Sequence, residues 1–122
     1  MERLRVTKCF SFDSAHFLPG YDGKCSRVHG HTWRVAVTVE GTIDPMTGMV
    51  VDFAVLKKIV EPWIELLDHR VLNEVEGLEV PTAENIALWF RDKWERVARP
   101  ATLRHIKVWE SRDSYAEWIN ES

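Results

Sequence analysis

The sequence predicts an α+β fold, in which a four-stranded antiparallel sheet carries two helices on one face in the order ββααββ. Three features of the sequence indicate this fold. Apolar and polar residues alternate over residues 4–16 and over about ten residues from His29, which is typical of half-buried strands. Two central segments repeat apolar residues at helical spacing. Two short runs near 106–110 and 115–119 supply the last strands.

The first strand has an apolar face that ends in His16. The other members of this face are Leu4, Val6, Phe10 and Phe12. Cys9 falls in the same apolar-rich run, and we interpret it as a small buried hydrophobic residue. A loop rich in turn residues, 19–23, follows, and Cys25 stands at its end.

The second strand begins at His29. Because side chains alternate along a strand, His29 and His31 share a face with Trp33 and with three valines further along. The two histidines therefore extend a stripe that is predicted to be buried. Residues 44–48, with proline and glycine, predict a turn after this strand.

The first helix is predicted to begin at Phe53, with Asp52 as its cap. Its apolar stripe is Phe53, Leu56, Ile59, Val60, Trp63 and Leu67. Pro62 is expected to kink or interrupt the helix, because proline lacks the backbone N–H. Residues 68–70 close it, and a polar loop is expected over 73–79.

The second helix is predicted to start in the segment Pro81-Thr82-Ala83-Glu84-Asn85, with Thr82 as its cap. Its apolar stripe is Ile86, Trp89, Phe90, Trp94 and Val97. Arg99-Pro100 is expected to end the helix. Ile106, Val108 and Glu110 then alternate in a third strand, and residues 115–119 predict a fourth.

The composition is that of one soluble globular domain, residues 1–122. Hydrophobic residues make up 45% and charged residues 29% of the chain. The formal net charge of −3 argues against non-specific nucleic-acid binding. No apolar run approaches the roughly 20 residues that span a membrane, and residues 1–5 lack a signal-peptide core. We expect a cytoplasmic protein whose two cysteines do not form a disulfide.

Three histidines form the strongest candidate site. His29 and His31 point the same way, and His16 ends the buried face of the adjacent strand. Three neutral imidazoles with an open coordination position are typical of a catalytic zinc site. Nickel, iron or cobalt would accept the same ligands. The alternative is that these are separate core or surface histidines.

Cys25 has three interpretations: a fourth metal ligand, an inert thiol, or a catalytic base or nucleophile. An adjacent zinc ion would favour its thiolate. The pair Asp68-His69 is a natural partner, since an imidazole held by a carboxylate can accept a thiol proton. Such pairs are also common surface features. Glu110 is either a solvated strand end or an anchor for a ligand with paired N–H donors.

Five motifs, taken together, carry a resemblance to a known family. In chain order they are His16, Cys25-x3-His29-Gly30-His31, Asp68-His69, Pro81-Thr82-Ala83-Glu84-Asn85 and Val108-Trp109-Glu110. The chain resembles the 6-pyruvoyl-tetrahydropterin synthase family from Phe10 to about Glu110. The gap of three residues between Cys25 and His29 is similar to that of its 6-carboxy-tetrahydropterin synthase branch. The pyruvoyl branch usually has a longer gap, and a third branch places a glutamate near the thiol position.

The resemblance implies a tunnelling fold, whose sheets join into a barrel when subunits assemble, usually as a hexamer of two trimers. It implies one zinc ion per subunit on His16, His29 and His31, with Cys25 as proton acceptor. Asp68 and His69 match a charge relay. Glu110 matches the residue that grips the pterin and also serves the relay.

Thr82 and Glu84 match a segment near the pterin, although Ala83 stands where relatives often carry serine or threonine. The implied reaction converts 7,8-dihydroneopterin triphosphate to 6-carboxy-tetrahydropterin, acetaldehyde and triphosphate, a step towards queuosine. The alternatives are 6-pyruvoyl-tetrahydropterin synthesis and a zinc-stabilised binding module without turnover.

Overall fold

Four strands form one sheet in the spatial order β1-β2-β3-β4, with every neighbouring pair antiparallel. The strands of this computed structural model, which describes residues 1–97 and 100–122, are β1 (Leu4–His16), β2 (His29–Gly41), β3 (Thr102–Ser111) and β4 (Ser114–Ile119). Helices α1 (Phe53–Leu67) and α2 (Ala83–Trp94) connect β2 to β3. The predicted order ββααββ is confirmed.

One face of the sheet packs against both helices and forms the core. Phe12, Trp33 and Val108 are at most 2% exposed and belong to the same cluster as the inward residues of the helices. The partners from the helices are Leu56, Val60, Leu67, Ile86, Phe90 and Trp94. The strand periodicity therefore identified the buried face correctly.

Cys9 lies on the opposite face of β1 and is exposed, so its interpretation as a buried residue is wrong. The alternation of the strand explains the error. The even-numbered residues Val6, Phe10 and Phe12 point towards the helices. Cys9 has an odd number, so its side chain must point away from them. A residue with apolar neighbours in sequence is not buried when its own side chain points to the exposed face of the strand.

Helix α1 begins as predicted, because the N–H of Ala54 donates to Oδ1 of Asp52 at 2.8 Å. Of the two effects expected of Pro62, a kink or an interruption, the interruption does not occur, since α1 is continuous to Leu67. Pro62 lies on the exposed side of α1. The packing of the buried side stabilises the helix although Pro62 has no N–H to donate. Phe53, assigned to the apolar stripe by spacing, is 50% exposed.

Thr82 caps α2, because the N–H of Asn85 donates to its Oγ1 at 3.1 Å. The helix ends at Trp94, and Val97 packs against the core beyond it. Of the predicted terminating pair, Arg99 lies outside the described residues.

The segment expected as a polar loop over 73–79 overlaps a 3-10 turn, Leu72–Glu74, and contains Leu78, which is fully buried. Over residues 1–97 and 100–122, no helix has the length and apolar character needed to cross a membrane.

A charged cluster fastens the end of the sheet opposite to the histidines. Glu40 accepts hydrogen bonds from Nε of Arg3 at 2.9 Å, Arg5 at 2.9 Å and Arg104 at 3.1 Å. The bonds from Arg3 and Arg5, helped by the charge of Arg104, lower the pKa of Glu40 to about 2 against an opposing effect of burial. The carboxylate thus remains ionised in the folded protein far below its ordinary pKa.

The low pKa of Glu40 predicts an acid-dependent contribution to stability. The contribution is fully present above 4.5, the ordinary pKa, and is lost as the pH falls towards about 2. Urea unfolding should therefore show Glu40→Gln to be less stable than the wild type at pH 7, with the difference shrinking towards pH 2. Glu65→Gln, on the exposed side of α1, is the control. An equal difference at both pH values would contradict the assignment.

Candidate metal centre

Four side chains converge where β1 ends and β2 begins. His16, His29, His31 and Glu110 each offer one ligand atom, and these atoms all lie within 4.8 Å of one another. The antiparallel register produces this arrangement, because His16 pairs with His29 across the strands and Ser14 pairs with His31. Glu110 reaches the group from the end of β3.

In two of the imidazoles, a backbone carbonyl oxygen determines which ring nitrogen carries a hydrogen. Nδ1 of His16 lies 2.8 Å from the carbonyl oxygen of Pro81, and Nδ1 of His29 lies 2.7 Å from that of Arg27. A carbonyl only accepts, so each Nδ1 donates its hydrogen, and in the neutral ring each Nε2 then presents a lone pair. This is how metal-binding histidines are usually oriented.

The lone pairs face each other at short range. Nε2 of His16 lies 3.1 Å from Nε2 of His29 and 3.1 Å from Oε1 of Glu110. Three acceptors at these distances repel unless a cation or a proton lies among them. Nε2 of His31 is buried, lacks a hydrogen-bond partner within the described residues, and lies 3.5 Å from the same carboxylate oxygen. The residues therefore fit a divalent metal ion that accepts nitrogen and oxygen ligands, as zinc does.

The surroundings of His31 favour the neutral imidazole that a metal requires. Desolvation lowers the pKa of His31, with the charge of Glu110 opposing the shift and the two other imidazoles adding to it. A neutral ring keeps its lone pair available for a metal.

Trp33 forms the floor of the site. Its ring is fully buried and meets His16 and His31 edge to face, at centroid distances of 4.9 and 5.4 Å. Its Nε1–H donates to the carbonyl oxygen of Ser14 at 3.2 Å. The sequence placed Trp33 on the same stripe as the histidines but gave no sign that it would position them. The role of the Pro81 carbonyl left no signal in the sequence, because a backbone group shows no residue pattern.

Cys25 does not join the four-residue group. It lies in a 3-10 turn, Lys24–Ser26, is partly buried, and its backbone carbonyl accepts the N–H of Leu18 at 2.7 Å. Among residues 1–97 and 100–122, the fourth ligand atom beside the histidines comes from Glu110. The sequence alternative in which the thiol closes the metal site is thus not the arrangement observed.

Asp68 and His69 form the predicted pair, with Oδ2 of Asp68 2.9 Å from Nδ1 of His69. Hydrogen bonds from the N–H of Asp13 and from His69 lower the pKa of Asp68. His69 has a φ of 55°, in the left-handed region that few non-glycine residues adopt. Its N–H donates to the carbonyl oxygen of Asp13 at 2.7 Å, which holds the pair against the outer edge of β1.

The His69 side chain is 78% exposed, and no hydrogen bond joins it to Cys25 in the part of the chain that the structure describes. Within one chain, the Asp68–His69 pair is therefore formed but is not hydrogen-bonded to the Cys25 thiol in the described residues. A neighbouring molecule could reach the exposed imidazole.

Thr82 and Glu84 follow Pro81, the residue whose carbonyl contacts His16. The Thr82 hydroxyl is engaged in the cap of α2, and Glu84 is exposed in the first turn of that helix. The carbonyl of Pro81 holds His16. The start of α2 is thus fixed directly to the metal centre, whereas Thr82 has a structural task of its own.

A cavity of about 340 Å³ adjoins the four-residue group. Another cavity, of about 380 Å³, is lined by none of the four residues. The cavity beside the metal centre is lined by His31, Thr32, Arg34, Glu110, Ser111 and Arg112. The guanidinium of Arg34 lies 4.5 Å over the ring of Trp109. A small molecule in this cavity would meet both an imidazole and the carboxylate.

The sequence and the fold are similar to those of known proteins. The chain is 42% identical over 120 residues to 6-carboxy-5,6,7,8-tetrahydropterin synthase of Synechocystis, covering 94% of this chain and 92% of the relative. It is 36% identical over 112 residues to dihydroneopterin monophosphate aldolase of Pyrococcus furiosus, covering 91% of this chain and 93% of that protein.

The solved structure of 6-pyruvoyl tetrahydropterin synthase from Caenorhabditis elegans is similar over 99% of this chain and 98% of that chain. The TM-score is 0.89 at 28% sequence identity. The profile of one family, 6-pyruvoyl tetrahydropterin synthase, matches residues 5–121. The chain therefore belongs to the 6-pyruvoyl tetrahydropterin synthase family.

Proposed function

We propose that the protein is a zinc-dependent lyase that converts 7,8-dihydroneopterin triphosphate and water to 6-carboxy-5,6,7,8-tetrahydropterin, acetaldehyde and triphosphate. The observation that carries the proposal is the 42% identity to a relative named for that product, over nearly the whole of both chains. The convergent imidazole nitrogens support the metal requirement. The product would serve queuosine and related deazapurine biosynthesis in the cytoplasm.

His16, His29 and His31 would hold the zinc ion through the nitrogens that face one another. When bound, zinc would acidify a side-chain hydroxyl of the substrate and stabilise the negative charge that develops there. Cys25 would take a proton from the substrate side chain as thiolate. Its place in a short turn near the start of β2 leaves the thiol partly exposed and able to meet a ligand.

Glu110 would accept the N–H groups of the pterin ring, and its position in the cavity beside His31 allows this contact. Thr82 and Glu84 would flank the pterin from the start of α2. Of these two, Glu84 has the freer side chain, because the Thr82 hydroxyl already caps the helix.

Asp68 and His69 would complete the relay to Cys25 from a neighbouring subunit. Their imidazole is 78% exposed at the edge of β1 and is not bonded to the thiol of its own chain within the described residues. Among the described residues, β1 and β4 are the outer strands of the sheet, and the outer edge of β1 is bonded only to the short segment at residues 68–71. Such edges are usually covered. Joining sheets edge to edge would close a barrel, and a trimer-based hexamer would place active sites between subunits.

Two related reactions and one binding role are the alternatives. The similar Caenorhabditis elegans structure is named for pyruvoyl chemistry, and the Pyrococcus furiosus relative for cleavage of a monophosphate. The gap of three residues between Cys25 and His29 supports the carboxy product. A zinc-stabilised binding module would keep the metal and lack turnover.

Product analysis by mass spectrometry distinguishes these alternatives. We expect the zinc-loaded protein to release acetaldehyde and triphosphate from 7,8-dihydroneopterin triphosphate, with 6-carboxy-5,6,7,8-tetrahydropterin as the pterin product. A pyruvoyl pterin without acetaldehyde would replace the proposal with the first alternative. Cleavage of dihydroneopterin monophosphate alone would favour the aldolase, and no turnover of either substrate would favour the binding module.

Cys25→Ala should lower kcat by at least about 100-fold, because general base catalysis contributes on that scale. Zinc content should stay unchanged, since the thiol lies outside the ligand group. Cys9→Ala, at the other free cysteine, which is exposed, is the matched control and should keep wild-type turnover. Loss of zinc from Cys25→Ala would show that the thiol is a ligand instead.

His29→Ala should weaken zinc binding by about 100-fold or more, which exceeds the usual cost of losing a group that only supports a ligand. Metal analysis after dialysis against a chelator measures the effect. His105→Ala is the control, because His105 lies on β3 outside the group. Equal zinc retention by both variants would contradict the ligand assignment.

A further inference from the structure

We propose that Asn73 is a positioning residue for the thiol of Cys25 and acts through the backbone of Phe17 and Leu18. Where the proposal gives the thiol a catalytic task, it rests on the proposed function. The position of the thiol itself is independent of that function. The side-chain amide of Asn73 fixes the chain just beyond β1, and the loop that carries Cys25 begins there.

The Asn73 amide makes two hydrogen bonds to the backbone of one residue. Its Oδ1 accepts the N–H of Phe17 at 3.0 Å, and its Nδ2 donates to the Phe17 carbonyl oxygen at 2.8 Å. Phe17 directly follows β1 and lies beyond the pairing of β1 with β2, which ends at His16. The amide therefore bonds Phe17 on both sides, as the peptide groups of an adjacent antiparallel strand would.

This amide completes a row of hydrogen bonds along the outer edge of β1. The N–H of His69 donates to the Asp13 carbonyl oxygen at 2.7 Å, and the N–H of Ala15 donates to the carbonyl oxygen of the residue after His69 at 2.9 Å. Phe17 is the next position that needs a partner, because alternate residues of an edge strand present their backbone groups outwards. The neighbouring backbone enters a 3-10 turn at that point, and the Asn73 side chain supplies the partner instead.

Phe17 lies at the neck of the loop that carries Cys25. The next residue, Leu18, donates its N–H to the Cys25 carbonyl oxygen at 2.7 Å, which closes the loop. Cys25 is partly buried, whereas residues 19–24 on one side and 26–28 on the other are exposed. A segment with so little buried surface is weakly fixed by its own packing. The position of the thiol relative to the sheet therefore depends on how the neck is held.

The amide acts on the thiol rather than on the metal centre. His16 is buried, pairs with His29 in the sheet and has its Nδ1 beside the Pro81 carbonyl. These contacts hold the imidazole without Asn73. Nδ2 of Asn73 also lies 3.5 Å from the carbonyl oxygen of Glu79, beyond the usual range of a hydrogen bond. Removal of the amide should therefore displace the loop and leave the zinc ligands in place.

The position of the thiol is tested by alkylation with iodoacetamide. All proteins carry Cys9→Ala, so that Cys25 is the one remaining cysteine of the sequence. We expect the thiol of the zinc-loaded Asn73→Ala protein to react at least about threefold faster than without that change, because the loop loses its tether and exposes the thiol. Asn73→Asp keeps an acceptor for the Phe17 N–H and lacks the donor to its carbonyl, so it should change the rate in the same direction.

Asn120→Ala is the matched control. Asn120 is also partly buried, and its amide also bonds backbone groups on two sides, since it donates to the Leu103 carbonyl oxygen at 3.0 Å and accepts the Ser122 N–H at 3.0 Å. It lies at the end of the sheet that carries Glu40, opposite to the histidines. The control thus loses the same side chain and similar bonds far from the thiol. Circular dichroism and urea unfolding check that each variant folds.

Turnover of 7,8-dihydroneopterin triphosphate separates positioning from a structural role. We expect both Asn73 variants to lower kcat by about 10- to 100-fold with KM almost unchanged, because a small misplacement of a reacting group costs on that scale. Zinc retention after dialysis against a chelator should match that of Asn120→Ala, which should also keep the kcat and the alkylation rate of the parent protein.

Alkylation rates and kcat values in both Asn73 variants equal to those of the control would overturn the proposal. Loss of zinc together with kcat would also overturn it, since the effect would then pass through the metal centre. Faster alkylation with an unchanged kcat would support the positioning and count against the catalytic task of Cys25. If the parent protein does not turn over the substrate, the proposed function fails, while the alkylation rates still decide whether Asn73 positions the thiol.

Discussion

The geometry of the candidate metal centre depends on hydrogen-bond acceptor atoms that the fold holds close together. Nε2 of His16 lies 3.1 Å from Nε2 of His29, and their Nδ1 atoms are committed to backbone carbonyls. Such an arrangement costs energy unless a cation neutralises it, so the fold must hold the imidazoles in place. It does so by burying His16 and by packing Trp33 beneath the rings. The rest of the sheet and its two helices form the rigid support that this convergence requires.

The support is distributed over segments that are distant in sequence. The antiparallel register sets His16 opposite His29, the segment before α2 supplies the Pro81 carbonyl, and the end of β3 supplies Glu110. Each contribution comes from the end of an element, where backbone groups are not all used by regular pairing. The Asp68–His69 pair stays exposed at the outer edge of β1 and has no hydrogen bond to Cys25 among the described residues.

Much of the fold followed from side-chain periodicity. The two-residue alternation identified the buried faces of β1 and β2, and Asp52 and Thr82 were recognised as caps. Two errors arose where a local rule was applied without the surrounding packing. Cys9 was judged by its apolar neighbours rather than by its parity. Pro62 was judged by its missing N–H, although the buried side of α1 keeps the helix continuous.

The sequence by itself was enough to predict that His16, His29 and His31 lie together, because the face to which each side chain points follows from the alternation along two strands. It also determined the family, since the motifs recur in order along the chain. Only the tertiary structure decided that Glu110, rather than Cys25, stands beside the imidazoles, because that contact joins the end of β3 to the ends of β1 and β2. Ring-nitrogen protonation was likewise decided by carbonyls brought near by folding. Distances between elements are set by packing, and no residue pattern encodes them directly.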